Sequence, residues 1–138
     1  MPARDKVHHA VKNALVKDGW EITHDPLHLE WGPRDLYVDL GAEKLFAAEK
    51  EGRKIAVEVK SFVGPSDMAN LEQALGQYVL YRSKLKRLSP QRKLYLAMRD
   101  TAFENILNHP DAEFLLADEN VKLLIFNVAK EEVEQWLE

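Results

Sequence analysis

The sequence predicts an α/β domain with a mixed central sheet flanked by helices, and three observations carry that prediction. Apolar residues recur at three-and-four spacing in the segments that open at Ala3 and Ser66. Short alternating or continuous apolar runs lie between and after them. Gly and Pro residues punctuate the junctions, as at Gly19, Gly52, Gly64-Pro65 and Pro90.

From Ala3 to Asp18, Val7, Ala10, Val11, Ala14 and Leu15 form one stripe of an amphipathic helix, which Gly19 ends. Trp20 to His24 alternates apolar and polar residues as a first strand does, and Pro26, Gly32 and Pro33 break up the stretch after it. Leu36-Tyr37-Val38-Asp39-Leu40 reads as a second strand. Ala42 to Lys50 is open to a short helix or a strand; Glu51-Gly52-Arg53 resembles a hairpin turn into Lys54 to Phe62 and favours the strand. Ser66 and Asp67 start a helix to about Arg87, with Met68, Leu71, Leu75, Tyr78 and Val79 as its main apolar stripe. Leu94 to Ala97 is a strand, Phe103 to Leu107 a short helix, and Val121 to Val128 a strand of the buried kind. Lys130 to Leu137 is expected to close the chain as a helix. The early strands form an antiparallel meander and the later ones enter by helical crossovers.

Composition narrows the function classes. At 138 residues and 46% hydrophobic, residues 1–138 are expected to form one domain around one core. No run of about 18 apolar residues exists to span a bilayer, and Met1-Pro2-Ala3-Arg4-Asp5 lacks the apolar core of a signal peptide, so a cytoplasmic protein without a membrane partner is expected. The absence of cysteine excludes disulfides, thiolate nucleophiles and Cys-type zinc sites, which leaves oxygen or imidazole to hold any metal. The five histidines form no ligand set: His24 and His28 are separated by Pro26, and His8 and His9 point to different helix faces. Trp20, Trp31 and Trp136 read as packing residues.

A net charge of −4 argues against a general nucleic-acid coat, but the charge is uneven. Between Gln73 and Arg99 lie seven cations (Arg82, Lys84, Lys86, Arg87, Arg92, Lys93 and Arg99) and no acid, leaving 12 cations against 23 acids elsewhere. That local +7 on a remainder of −11 suits phosphate contact, and equally an ordinary solvated helix end.

The chemistry-bearing constellation is Lys54-Ile55-Ala56-Val57-Glu58-Val59-Lys60. On a strand Ala56, Glu58 and Lys60 share a face, so a carboxylate and an ammonium project side by side. With Asp39 ending the preceding strand, two carboxylates approach and repel unless a divalent cation lies between them. Hard oxygens suit Mg²⁺ or Mn²⁺, held by Asp39, Glu58 and the Val59 carbonyl. Lys60 would then orient an attacking water, so Asp39, Glu58 and Lys60 are the candidate catalytic residues of phosphodiester hydrolysis. A hairpin turning at Gly52 carries Asp39 past the position opposite Glu58, so this approach requires a bulge. Gln73, Gln77 and Tyr81 share a helix face roughly opposite the apolar stripe and, with Arg82 and Lys84, are candidates for supporting Lys60 or gripping DNA. Asp5 is a further candidate metal ligand or simply a favourable charge in a first helical turn.

An acid followed after a spacer by E-x-K on a strand resembles the PD-(D/E)XK nuclease superfamily, and Gln77 through Tyr81 is similar to the Q-x-x-x-Y motif of its RecB-like branch. Across its length the chain resembles the XisH family of cyanobacterial fdxN-element excision controlling factors. The stretches that carry this are HHAVKNALVKDGWEITHDPL from His8, DLGAEKLFAAEKEGRKIAVEVKSF from Asp39, and ALGQYVLYR from Ala74. The resemblance implies a restriction-endonuclease-like three-layer fold. It further implies a DNA-processing role, with an XisI-like partner protein, in excision of a DNA element by a site-specific recombinase during heterocyst development. A non-catalytic accessory protein that binds DNA or a partner through the same fold, or a subunit of a homo-oligomer, is the competing expectation. Val38 stands in the Pro place of the superfamily pattern, and Asp5 rather than Glu is the helical acid, which leaves the third metal ligand open.

Overall fold

The computed structural model describes residues 3–40 and 43–138. Its centre is a six-stranded sheet formed by β1 (Glu21–His24), β4 (Lys44–Lys50), β5 (Arg53–Val59), β6 (Arg92–Arg99), β7 (Leu123–Asn127) and β8 (Glu132–Leu137), adjacent in that order. β5, β6 and β7 run parallel, whereas the pairs β1/β4, β4/β5 and β7/β8 are antiparallel. Helix α1 (Ala3–Lys17) covers one face with Val7, Ala10, Val11, Ala14 and Leu15, packed on Phe46, Ile55, Val57, Tyr95 and Phe126. Helices α3 (Asp67–Leu88), α4 (Asp100–Ile106) and α5 (Pro110–Asp118) cover the other, over Leu45, Ala56, Leu94, Leu96, Met98, Leu123 and Ile125. The three-layer arrangement with a mixed sheet is therefore present.

The β4–β5 hairpin turns through Glu51 and Gly52, whose φ values of 51° and 82° make a two-residue turn that matches strand twist. β4 begins at Lys44, so the strand reading of this ambiguous stretch holds from there on; its expected start at Ala42 lies outside the described residues.

Two expectations are corrected. Leu36–Asp39 is a short helix, α2, not a strand, and it follows a hairpin of β2 (Glu30–Trp31) and β3 (Arg34–Asp35). The Asp35 carboxylate accepts the Val38 N–H at 3.3 Å as an N-cap, and Leu40 N–H closes the turn on the Leu36 carbonyl at 2.9 Å. A capping aspartate thus outweighs the strand propensity of the residues after it. The chain also closes on strand β8 rather than a helix. Val133 and Trp136 are three residues apart, a helical interval, yet both pack on the α1 side because the register slips between Ile125–Gln135 and Phe126–Val133. This bulge mimics helical spacing. Helix α5, with Pro110 at its first turn, is an element that the spacing of apolar residues does not predict.

The packed stripe of α3 also differs from the expected one. Leu71, Ala74, Gln77, Tyr78, Tyr81 and Leu85 are buried, while Met68 and Val79 are exposed. Both stripes have helical spacing, and the sheet selects the one that includes a glutamine and two tyrosines.

Candidate active site

Strand β5 directs Ala56 and Glu58 toward α3, and Lys60 follows just past its end, where its N–H donates to the Ala97 carbonyl at 3.1 Å. The last β4–β5 pair is Lys44 with Val59, and one further step of the same register sets Glu43 opposite Lys60. The side chains meet: Glu43 Oε2 lies 3.3 Å from Lys60 Nζ, and both are almost fully buried. Glu43 Oε1 accepts hydrogen bonds from His8 Nε2 at 3.2 Å and from the Ser61 N–H at 3.1 Å. Lys60 Nζ also donates to Gln73 Oε1. One acid thus joins α1, the start of β4 and the end of β5, while the lysine reaches the first third of α3.

Glu58 has no such partners. Its side chain is 1% exposed and neither carboxyl oxygen has a hydrogen bond. Burial pushes its carboxyl well above the usual carboxylate range; Lys60 opposes that rise and the charge of Glu43 adds to it. Glu43 goes the other way. Burial raises it as well, but the hydrogen bonds from His8 and Ser61 and the charge of Lys60 prevail and bring it to about 2. Two carboxyls on one wall are therefore driven apart, Glu43 below the usual carboxylate range and Glu58 above it, the separation that acid/base and metal sites exploit. The Ser61 Oγ and Tyr81 hydroxyls are buried without partners too, and Glu58 raises the Tyr81 hydroxyl after burial does.

Asp39 does not join this group. It sits on α2, with its carboxylate 3.6 Å from Arg34 and both side chains substantially exposed, and it lines a surface cleft with Trp31 and Leu80. The charges that act on Glu58 are those of Lys60 and Glu43. Among the described residues the bulge that Asp39 would need is absent, because β4 and β5 pair regularly from Lys44 to Arg53. Asp5 is exposed on α1, and the residue of that helix that enters the site is His8, one turn on. Gln73 meets Lys60, its Oε1 accepting from Nζ. Gln77 and Tyr81 lie on the buried face, with Gln77 Nε2 donating to the Leu40 carbonyl at 2.9 Å. Arg82 donates to the carbonyl of Glu119 at 2.6 Å and stands over the Tyr78 ring. Nine residues separate it from Gln73, about 13 Å of helix, so neither it nor Lys84 reaches Lys60.

Glu43 and Ser61 are not among the residues that the sequence singles out, and His8 figures there only as a histidine outside any ligand set. The signal for Glu43 lies in the turn: once Lys50 and Arg53 flank Glu51-Gly52, counting back along the hairpin brings Glu43 opposite Lys60. His8 carries no such signal, since its role depends on how α1 lies across the sheet.

The donor set fits a hard divalent cation in part. Two carboxylates share a buried wall, one with both oxygens unpartnered, and the Val59 carbonyl lies between Glu58 and Lys60 in the chain. Among the described residues, however, no group of three His, Cys, Asp or Glu side chains is placed to hold a metal. A cation here would rest on Glu43, Glu58, backbone and solvent.

Among curated proteins no match is found. Two solved structures are similar over nearly the whole chain. An XisH family protein from Nostoc punctiforme PCC 73102 is 42% identical with a TM-score of 0.87, covering 97% of this chain and 100% of that one. An fdxN element excision controlling factor protein from Anabaena variabilis is 40% identical with a TM-score of 0.88, covering 97% and 99%. The family model described as XisH protein matches residues 1–134, and the chain belongs to the XisH family.

Proposed function

We propose that this protein is a DNA-processing factor in the controlled excision of a DNA element, and that Glu43, Glu58 and Lys60 form a Mg²⁺- or Mn²⁺-dependent phosphodiester-hydrolysis site. Its family membership and the role named for the Anabaena variabilis relative support the excision setting. The observation that carries the chemical reading is the Glu58 carboxyl, buried without a partner beside a second acid and a lysine. An apolar side chain there would serve folding better, so the group calls for a ligand that the protein alone does not supply.

Glu43 replaces Asp39 in this reading. Glu43, Glu58 and the Val59 carbonyl would hold the cation, which when bound supplies a Lewis acid that offsets negative charge on a phosphodiester. Lys60, oriented by Glu43 and Gln73, positions an attacking water and balances the charge that develops on the phosphate. Gln73 keeps Lys60 in place and Gln77 ties α3 to the segment after α2. In the cell the protein would act with an XisI-like partner and, through it, a site-specific recombinase.

Calorimetry with Mg²⁺ and Mn²⁺, alongside nicking of supercoiled DNA, tests this. The wild type should bind cation and nick, and Lys60→Ala should bind cation but not nick, with its fold intact by circular dichroism. Nicking that survives Lys60→Ala would refute the assignment. A second reading, a non-catalytic accessory protein that binds DNA or its partner, is favoured by the absence of a third side-chain ligand among the described residues. It predicts no heat with either cation at millimolar levels, and excision that withstands Glu58→Ala.

A further inference from the structure

Arg82, Lys86, Arg92, Lys93 and Lys122 line one cleft of about 170 Å³ together with Tyr78, and no aspartate or glutamate lines it. The cations come from three separate places: the second half of α3, the start of β6, and the residue before β7. Of the five, only Lys86 lies in the last turn of α3, where a cation is explained by the helix dipole. In a chain of net charge −4, five cations around one cleft are not a reflection of overall composition.

The cleft is built rather than merely charged. Arg82 is held by the carbonyls of Glu119 and Asn120 at 2.6 and 3.3 Å and by the Tyr78 ring, whose centroid lies 5.3 Å from the guanidinium carbon. Arg92 donates to the Ile55 carbonyl at 2.9 Å. Tyr78 OH in turn donates to the Leu94 carbonyl and accepts the Lys122 N–H. Two guanidiniums are thus fixed before any ligand arrives, which lowers the entropy lost on binding. Among the described residues two acids approach from outside the lining: Glu49 reaches Arg92 at 3.8 Å, and Glu138 feels Lys93 and Lys122. Arg82, Lys86, Lys93 and Lys122 make no salt bridge among the described residues.

The cleft is separate from the Glu43–Glu58–Lys60 site. Arg92 pairs with Lys54 at the start of the parallel strands, four residues or about 13 Å along the strand from Glu58 and six or about 20 Å from Lys60, and Tyr78 is the lining residue on which the Glu58 charge acts. We infer that this cleft is a second, independent binding site for a phosphoryl anion, presented either by a nucleic-acid backbone or by a free polyphosphate ligand.

The test titrates the full chain with tripolyphosphate by calorimetry and with labelled single- and double-stranded oligonucleotides by anisotropy, in low salt. The comparison protein carries Lys86→Ala, Lys93→Ala and Lys122→Ala together; these side chains are not buried, and the Lys122 N–H that Tyr78 accepts is retained. Tripolyphosphate should bind the wild type, weaken with added salt, and bind the triple variant about tenfold or more weakly. Glu58→Gln should bind it as the wild type does, which separates this site from the proposed catalytic one. Tripolyphosphate that displaces the oligonucleotide identifies the backbone as the source. Tripolyphosphate that binds while oligonucleotide affinity ignores the triple substitution identifies a small phosphate ligand. No binding of tripolyphosphate to the wild type, or undiminished binding to the triple variant, overturns the inference.

Discussion

Replacing Glu58 by Met is expected to stabilise the protein when no divalent cation is present. The side chain is 1% exposed and both oxygens lack partners, so the folded state carries the desolvation penalty of an unsatisfied polar group, about 1–3 kcal/mol. Met is of similar length and removes that penalty without leaving Lys60 alone, because Lys60 keeps Glu43 at 3.3 Å. A gain of about 2 kcal/mol corresponds to roughly 6–10 °C in Tm for a chain of this size. The sign with pH follows from the raised carboxyl. Stability that depends on a neutral Glu58 is complete below its ordinary value of 4.5 and is lost as pH rises toward its higher folded-state value. The gap between Glu58→Met and wild type should therefore widen from about pH 5 upward, by at most about 1.4 kcal/mol per pH unit. Urea titrations in chelator at several pH values measure it. Adding Mn²⁺ at about a hundred times its Kd should return about 2.7 kcal/mol to the wild type and nothing to the variant. A variant less stable than wild type at every pH, or a gap that narrows as pH rises, would refute the reasoning.

Glu43 should show the opposite pH behaviour. Held at about 2 in the folded state, it contributes stability present above 4.5 and lost as pH falls through about 2, so the Glu43→Gln acid-unfolding curve should lack that step. In the same preparations Glu43→Ala should abolish cation binding measured by calorimetry, whereas Asp39→Ala should leave it unchanged and shift stability by no more than about 0.5 kcal/mol. Tyr78→Phe removes a buried hydroxyl that serves both Leu94 and Lys122, and should cost about 1–3 kcal/mol with faster amide exchange at Lys122. Glu51→Asn, at a turn position with φ of 51°, should raise stability by about 0.5 kcal/mol by thermal melt.

Much of the fold is legible in the sequence because its signals are local. The α1 stripe, the Glu51-Gly52 turn and the Ser66 cap each act within a few residues, and each stands where the spacing puts it. The errors share a cause: a local pattern with two structural solutions, decided by partners distant in sequence. Leu36–Leu40 is apolar enough for a strand until Asp35 caps it, and Val133 with Trp136 suits a helix until a bulge in β8 offers the same spacing. The site divides along the same line. Glu58 and Lys60 follow from alternation within one strand, whereas His8 meets Glu43 across 35 residues and only the crossing of α1 over the sheet brings them together.

Where polarity is buried makes the strongest argument that this site is kept for use. Among the described residues the polar or charged residues buried with the core are Glu58, Lys60, Ser61 and Gln77, which the buried side chain of Glu43 joins, and all five stand around the end of β5 and the α3 helix it faces. The rest of the sheet interior is aliphatic or aromatic, apart from the paired Tyr78 and Tyr95 hydroxyls. Folding alone would scatter such groups or omit them, because each unsatisfied one costs stability that an apolar residue of the same size would not. Their confinement to one wall, with Glu58, Ser61 and Tyr81 left unpartnered there, means that the stability forgone is localised at one point on the molecule. A cost concentrated in this way is expected where a ligand offsets it on binding, which is why the cation-dependent gain in wild-type stability, and its loss in Glu58→Met, bears more directly on function than any change in fold would.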